Sequence, residues 1–451
     1  MSTTTQSSEI GHFSGRVPSW RLAAYAAPAA ALATLALPLQ VFVPTLYAQE
    51  IGIGLTTIGT VLLIARLWDM VTDPVIGILS DRIPTPFGRR RTWMIAGMPL
   101  LLVSAYMLFL PPDNAGFWHL LVSLIGVYTF GTMLVVPMNA WGAELTDDVH
   151  ERTRVQAFRT GAGLLGVVVA LVLPALLGFG TDEVRQTSAL IGLMGVVALP
   201  LLLSFAVSSV PDPAHHRALR KDRFSLGPVL KDLWRNKPLV TLYTSFLLNN
   251  IATGLPAGLF LLFAKHKIGA PEQAGLWLVL FFGSTIASLP LWPWLSRRMG
   301  KKNAWIAGML GACALFVWSP FLGVGDATLY TAIVIATGIC AGANLTLPAS
   351  MLADIVDHDR GGVGPSRAGI LFSVWGSIAK LSAALAAGVS FLVLGWVGFD
   401  AQGVNGDAAL FALAGLYGLV PVILNLLAAG AIARYSLNGD AVHPNAAPAQ
   451  I

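Results

Sequence analysis

Apolar residues gather along this chain into long stretches separated by short polar turns. A bilayer core needs about 20 mostly apolar residues per helix. The pattern predicts twelve such helices: 22–48, 55–80, 93–110, 117–143, 155–180, 187–209, 238–264, 272–296, 303–322, 327–353, 368–395 and 408–434. Backbone groups in lipid must be satisfied internally, so runs of this length are read as helices. Gly, Ala and Pro are frequent within them, which suits close helix packing and local breaks. The one sizeable polar insertion, 210–237, divides the chain into six-helix halves at 22–209 and 238–434. Polar tails at 1–21 and 435–451 flank the halves.

Composition sharpens this picture. Of 451 residues, 55% are hydrophobic and only 11% are charged, with a mean hydropathy of +0.70. Soluble domains carry about 25% charged residues, so a soluble multidomain enzyme is excluded, and so is a disordered chain. The net charge of +5 is distributed as a topology signal. Arg82, Arg89, Arg90, Arg91, Arg152 and Arg154 fall in loops on one side, together with the basic central loop, Arg297, Arg298, Lys301, Lys302, Arg360 and Arg367. The opposite loops hold only Arg185, Lys265 and Lys267. This asymmetry places both termini in the cytoplasm and removes nucleic acid as a partner. The first 20 residues lack an apolar core, so no cleavable signal peptide is expected. Cys313 and Cys340 lie in apolar segments, which argues against a disulfide framework or a metal cluster.

The halves echo one another. Arg89-Arg90-Arg91-Thr92-Trp93-Met94-Ile95-Ala96-Gly97-Met98 opens the third predicted helix, and Gly300-Lys301-Lys302-Asn303-Ala304-Trp305-Ile306-Ala307-Gly308-Met309 opens the ninth. Equivalent positions imply parallel repeats about an axis along the membrane normal.

The second helix carries the chemistry that stands out most. An intramembrane carboxylate is costly and points to function. Here two of them, Asp69 and Asp73, are spaced i to i+4 and share a helix face, with Arg66 on the same side. They offer hard oxygen ligands to a small cation, or they share a proton, or they form a structural ion pair with Arg66. Arg159 and Lys380 are cations within otherwise apolar helices, one in each half. A buried charge must be paired or reach water, so both are expected to face a central wet cavity. Ser80-Asp81-Arg82-Ile83-Pro84-Thr85-Pro86-Phe87-Gly88-Arg89-Arg90-Arg91 forms the loop after the second helix. Its Asp81, Arg82, Arg89 and Arg90 are candidates for a latch with the acidic residues that follow the fourth helix, Glu144 among them. Asp354 and Asp357, with Arg360 and Arg367, are expected to do the same in the other half.

Gly77 to Arg82 and Gly88 to Arg90 resemble the second-loop pattern of the major facilitator superfamily. The run Trp68-Asp69-Met70-Val71-Thr72-Asp73-Pro74 resembles the signature of the glycoside–pentoside–hexuronide:cation symporter family within it, typified by the melibiose permease. The resemblance implies a cation site at Asp69, Asp73 and Thr132, intramembrane cations at Arg159 and Lys380, and a helix junction at Ala353-Asp354-Ile355-Val356-Asp357 with Arg367. Two sugar-binding carboxylates of the permease fall at Ala33 and Val135, and a sugar-stacking aromatic falls at Asn139. The cation site is therefore retained while the sugar clamp is not.

The expected protein is an all-α membrane protein of twelve helices, a Na⁺- or H⁺-coupled symporter of a sugar, glycoside or sugar acid. Transport of a lysophospholipid or another amphipathic anion, and uncoupled transport, are the alternatives. The substrate cavity is expected to include Arg159, Lys380, Asn139, Trp141, Trp375 and Asn249. No cofactor and no enzymatic centre is expected. A small-molecule substrate, a lipid bilayer (a bacterial inner membrane) and a monomeric state are.

Overall fold

The computed structural model describes residues 16–82, 88–146, 149–178, 183–211, 236–360 and 368–435. All regular elements among them are helical. The first half comprises α1 (Ser19–Gln49), α2 (Leu55–Arg82), α3 (Arg89–Phe109), α4 (Phe117–Glu144), α5 (Val149–Leu176) and α6 (Val184–Ser209). The second half opens with α7 (Lys237–Phe263), which ends in a π turn at Ala264–Ile268. Then come α8 (Ala274–Ser288), α9 (Leu291–Met299), α10 (Lys301–Phe316), α11 (Ala327–Arg360) and α12 (Ala368–Trp396). The last crossing is α13 (Asp407–Ala414), a π turn at Gly415–Leu419, and α14 (Val420–Ala433). Ten spans are long and apolar enough to cross a membrane, and α8 with α9 supplies an eleventh. The 28-residue α2 completes twelve, although Arg66, Asp69 and Asp73 interrupt its apolar run.

The crossings differ from the sequence pattern in two ways. The eighth crossing is broken: α8 and α9 are bent by 47° around Leu289-Pro290, where proline removes a backbone donor. Several helices also run past their apolar stretch at the basic end of the bundle. The helix α3 begins at Arg89 rather than residue 93, and α11 continues to Arg360 rather than residue 353. Apolarity measures contact with lipid, whereas helical hydrogen bonding continues through a polar turn beyond it.

The internal repeat proves structural. Arg90 of α3, only 5% exposed, donates to Glu144 at the end of α4 at 2.7 Å and to Ser80 of α2 at 3.1 Å. Lys301 takes its place in the second half and reaches both oxygens of Asp354 on α11 at 2.7 Å. Arg91 donates to the carbonyl of Val210 after α6, and Lys302 donates to that of Tyr435 after α14 at 3.0 Å. A Cβ on Gly97 would lie 2.7 Å from Met133 of α4, and one on Gly308 would lie 2.6 Å from Ala343 of α11. Asp354 thus pairs with Lys301 across the helix pair, because α10 starts beside the end of α11; the side chain of Arg360 lies outside the described residues. The side chains of Asp81, Arg82, Arg89 and Asp357, and all of Arg367, lie outside the described residues.

The halves meet at the end opposite these pairs. One apolar core runs from the first half into the outer ends of α7, α8, α11, α12 and α13. The basic ends of α7, α10, α11 and α14 enclose a separate core. Antiparallel α2 and α12 close the outer seam. A Cβ on Gly59 would stand 2.8 Å from the Gly388 carbonyl, and one on Gly395 would stand 2.1 Å from the Thr56 hydroxyl. Beyond the seam, the Gln402 amide donates to the Gln49 carbonyl and ties the outer loops together. Asp400 of that loop is held below the ordinary carboxylate range, chiefly by the backbone N–H groups of Gln402 and Gly403.

A bulky residue in this seam must push the helices apart. Gly59→Leu is expected to cost about 1–3 kcal/mol by overpacking. It should also raise the labelling rate of a cysteine placed at Leu63, in a background with Cys313 and Cys340 replaced by Ser. An unchanged rate would show that the seam does not close the outer end.

Candidate functional site

The charged residues of α2 converge with α4 and α12 at the middle of the bundle. Asp69 is 3% exposed. Its Oδ1 lies 2.9 Å from the Lys380 ammonium, and Oδ2 of Asp73 lies 2.5 Å from the same group. Lys380 therefore bridges both carboxylates from the opposite half. The Thr132 hydroxyl of α4 lies 3.2 Å from Asp69 Oδ1 and 2.8 Å from Asp73 Oδ1. One turn away, the Trp68 indole donates to Thr129 at 2.8 Å and holds α2 against α4. The i to i+4 spacing puts both carboxylates on one face, and the α4 contacts fix where that face points.

Arg66 occupies the flank of the cluster. Its guanidinium lies over the Tyr128 ring at 4.4 Å, a cation–π distance. It stands 3.8 Å from Asp69 Oδ2, longer than a hydrogen bond. The cluster is electrically balanced: two carboxylates face one ammonium and one guanidinium. A chain without such balance would not hold two carboxylates in a bilayer cheaply.

Beside the cluster is a cavity of about 310 Å³ between α1, α2, α4, α7 and α12. Arg66 is the one charged residue among those that line it, and Gln40, Tyr128, Asn250 and Thr253 add polar groups. The remainder of the wall is aliphatic or small, including Leu39, Leu62, Ala379 and Ala383.

Most residues expected in the cavity lie elsewhere. Asn249 is buried and donates to Asn425 of α14 at 2.7 Å, an interhelical contact. Its neighbour Asn250 faces the cavity instead, one helical step around α7. Trp141 is 1% exposed. It packs edge-on against Tyr25 and donates to the Pro211 carbonyl at 3.1 Å, so it is core. Trp375 stacks on Phe246, ring centroids 3.4 Å apart. Arg159 and Asn139 are half-buried away from the cavity wall. The Nε of Arg159 and the Oδ1 of Asn139 are both buried without a hydrogen-bond partner. Lys380 borders the cavity through Ala379 while its ammonium turns to the carboxylates. The spacing Asn250, Thr253, Gly254, Ala257, Gly258 marks one small and polar face of α7. That face was the available sequence signal for the cavity.

A bundle of two six-helix halves with a charged cluster between them defines an integral membrane transporter. The chain belongs to the MFS/sugar transport protein family, whose pattern matches residues 24–439. It is similar to the sodium-dependent lysophosphatidylcholine symporter 1 of Homo sapiens, 24% identical over 410 residues, covering 83% of this chain and 75% of that protein. It is also similar to the isoprimeverose transporter of Lactiplantibacillus pentosus, 26% identical over 410 residues, covering 88% and 84%. Among solved structures, a bacterial homologue of the human lysosomal transporter Spinster superposes with a TM-score of 0.70 at 14% identity, over 93% of this chain and 97% of that one.

Removal of the bridging ammonium tests the charge balance. Lys380→Met leaves two carboxylates facing each other, and breaking such a pair costs about 3 kcal/mol or more when buried. Thermal stability in Na⁺-free buffer is expected to fall, and added Na⁺ to restore more of it than it adds to the parent protein. Unchanged stability would mean that Lys380 does not neutralise the pair.

Proposed function

We propose that the protein is a cation-coupled secondary symporter that moves a small organic solute by alternating access, as a member of the glycoside–pentoside–hexuronide:cation symporter branch. One observation carries this reading: Lys380 places a single positive charge between Asp69, Asp73 and Thr132. Those oxygens suit a monovalent cargo ion, Na⁺ or H⁺, and the ammonium shows that one positive charge is accommodated there. The ion and Lys380 compete for the same carboxylates. Entry of the ion releases the ammonium of α12 from α2, which loosens one link between the halves.

The solute binds in the adjacent cavity and the halves rock about it. Binding of ion and solute is reciprocal: whatever factor the ion adds to solute affinity, the solute adds to ion affinity. The relatives named above include both a lysophospholipid symporter and a sugar transporter, so either substrate class fits the family. Loss of the acidic sugar clamp at Ala33 and Val135, and the aliphatic cavity wall, favour an amphipathic solute over a glycoside. A bacterial inner membrane and a monomeric state complete the reading.

Solute-stimulated uptake of radiolabelled Na⁺ into proteoliposomes tests it, across a panel of glycosides, sugar acids and lysophospholipids. The parent protein is expected to take up Na⁺ with at least one of these solutes, and Asp73→Asn to lose the stimulation while still inserting. Full stimulation in Asp73→Asn would remove the site. Solute flux indifferent to both Na⁺ and pH gradients would replace symport with uncoupled transport.

A further inference from the structure

We infer that Arg66 is the anion-binding residue of the substrate cavity, and that ion and substrate are coupled because Asp69 and the substrate's anionic group share its charge. This rests on the symport reading above. Three observations on independent parts of the site carry it.

First, Arg66 is the single charged group on a cavity wall that is otherwise aliphatic or neutral. Its guanidinium stands at ion-pair separation from Asp69, 3.8 Å, without a close hydrogen bond there, and its hydrogen bond to Tyr128 uses only part of its five N–H donors. Tyr128 beneath it restrains the guanidinium at the cavity wall, where a planar fork of N–H donors matches a carboxylate or phosphate.

Second, neutral groups around it have capacity to spare. Gln40 has no hydrogen-bond partner among the described residues. Asn250 uses its Nδ2 on the Phe246 carbonyl at 2.7 Å, and no described group satisfies its Oδ1. Polar atoms that stay unpaired within a cavity wall are places where a ligand bonds.

Third, the charges must sum. Asp69 and Asp73 are balanced by Lys380 and Arg66. A cargo cation adds one positive charge to a site of low dielectric, where an uncompensated charge is costly. An anionic substrate restores neutrality and a neutral glycoside does not. The route is local: an anion on Arg66 draws the guanidinium from Asp69, which frees that carboxylate for the ion. An ion on Asp69 in turn weakens its pull on Arg66 and strengthens the hold on the anion. Ala379 and Ala383, one turn apart on α12, line the cavity together with Ala257 of α7 and give the solute an aliphatic seat. The substrate class is therefore an organic anion with an apolar body.

The test uses the full chain in lipid nanodiscs. Octyl phosphate, octyl glucoside and galacturonate are titrated with and without Na⁺, and binding is read from thermal stabilisation. Octyl phosphate is expected to bind at least about tenfold more tightly than octyl glucoside, which has the same chain and no charge. It should raise Na⁺ affinity by about fivefold or more. Arg66→Gln is expected to lose about tenfold in octyl phosphate affinity, to bind Na⁺ more tightly alone, and to show no effect of the anion on Na⁺. Binding of galacturonate that depends on Arg66 also upholds the anion site and assigns it to a sugar acid. Equal octyl phosphate binding by Arg66→Gln and the parent overturns the inference and leaves symport standing. Anion binding that requires Arg66, with no Na⁺ binding at all, sinks symport and leaves the anion site standing. Should Arg66→Gln fail to fold, the parent decides, since parity between octyl phosphate and octyl glucoside overturns the inference.

Discussion

Two carboxylates in the middle of a bilayer must be neutralised by their neighbours, and the architecture follows from that demand. Asp69 and Asp73 share a face of α2, so their partners must come from helices packed on that face. The first half supplies Thr132 through α4, and the second half supplies Lys380 through α12. The pair therefore links the two halves electrically. The close seam of α2 and α12 above it requires Gly59, Gly388 and Gly395, since a side chain at any of them would keep the charges apart. The expense of the carboxylates is offset by this pairing with Lys380.

The repeat shows how each half is braced. In both halves a basic residue at the start of the third helix is tied to an acid at the end of the fourth, and the next residue is tied to the carbonyl that ends the sixth. A glycine seven residues after the first basic residue lets the same two helices touch. These ties lie within halves, not between them. The basic end of the bundle is thus braced inside each half. That arrangement suits two bodies that move as units.

Much of this was legible in the sequence. Twelve apolar runs, the basic asymmetry and the acidic pair follow from the physics of lipid, which penalises every unpaired polar group and so makes the exceptions visible. Lys380 was visible as a lone intramembrane cation in need of Asp69, Asp73 or substrate as its partner, whereas Thr132 was visible only through family resemblance, because no local spacing connects α2 with α4. The cavity was harder. Asn249 and Trp141 were expected there from residue type, yet an Asn and a Trp serve a core equally well when a partner carbonyl or amide is near. Which of Asn249 and Asn250 faces the centre is a matter of one helical step, and only the packing of α7 against α12 and α14 sets it. Arg66 was visible from the start as a neighbour of Asp69. Its place on the cavity wall depends on Tyr128, sixty-two positions further along the chain, whose ring and hydroxyl hold the guanidinium.

The antiparallel arrangement of α2 and α12 has a mechanical consequence. Gly59 lies ten residues from Asp69, about 15 Å along the helix. If the halves turn about the charged cluster, the cluster is the fulcrum and the glycine seam is the far end of the lever arm. The seam then travels furthest, and it is made of backbone and small side chains, whose attraction is weak per contact and indifferent to direction. The charges, whose energy changes steeply with distance, sit where travel is least. Leverage of this kind lets a large opening be driven by a small rearrangement among Lys380, Asp69 and Asp73.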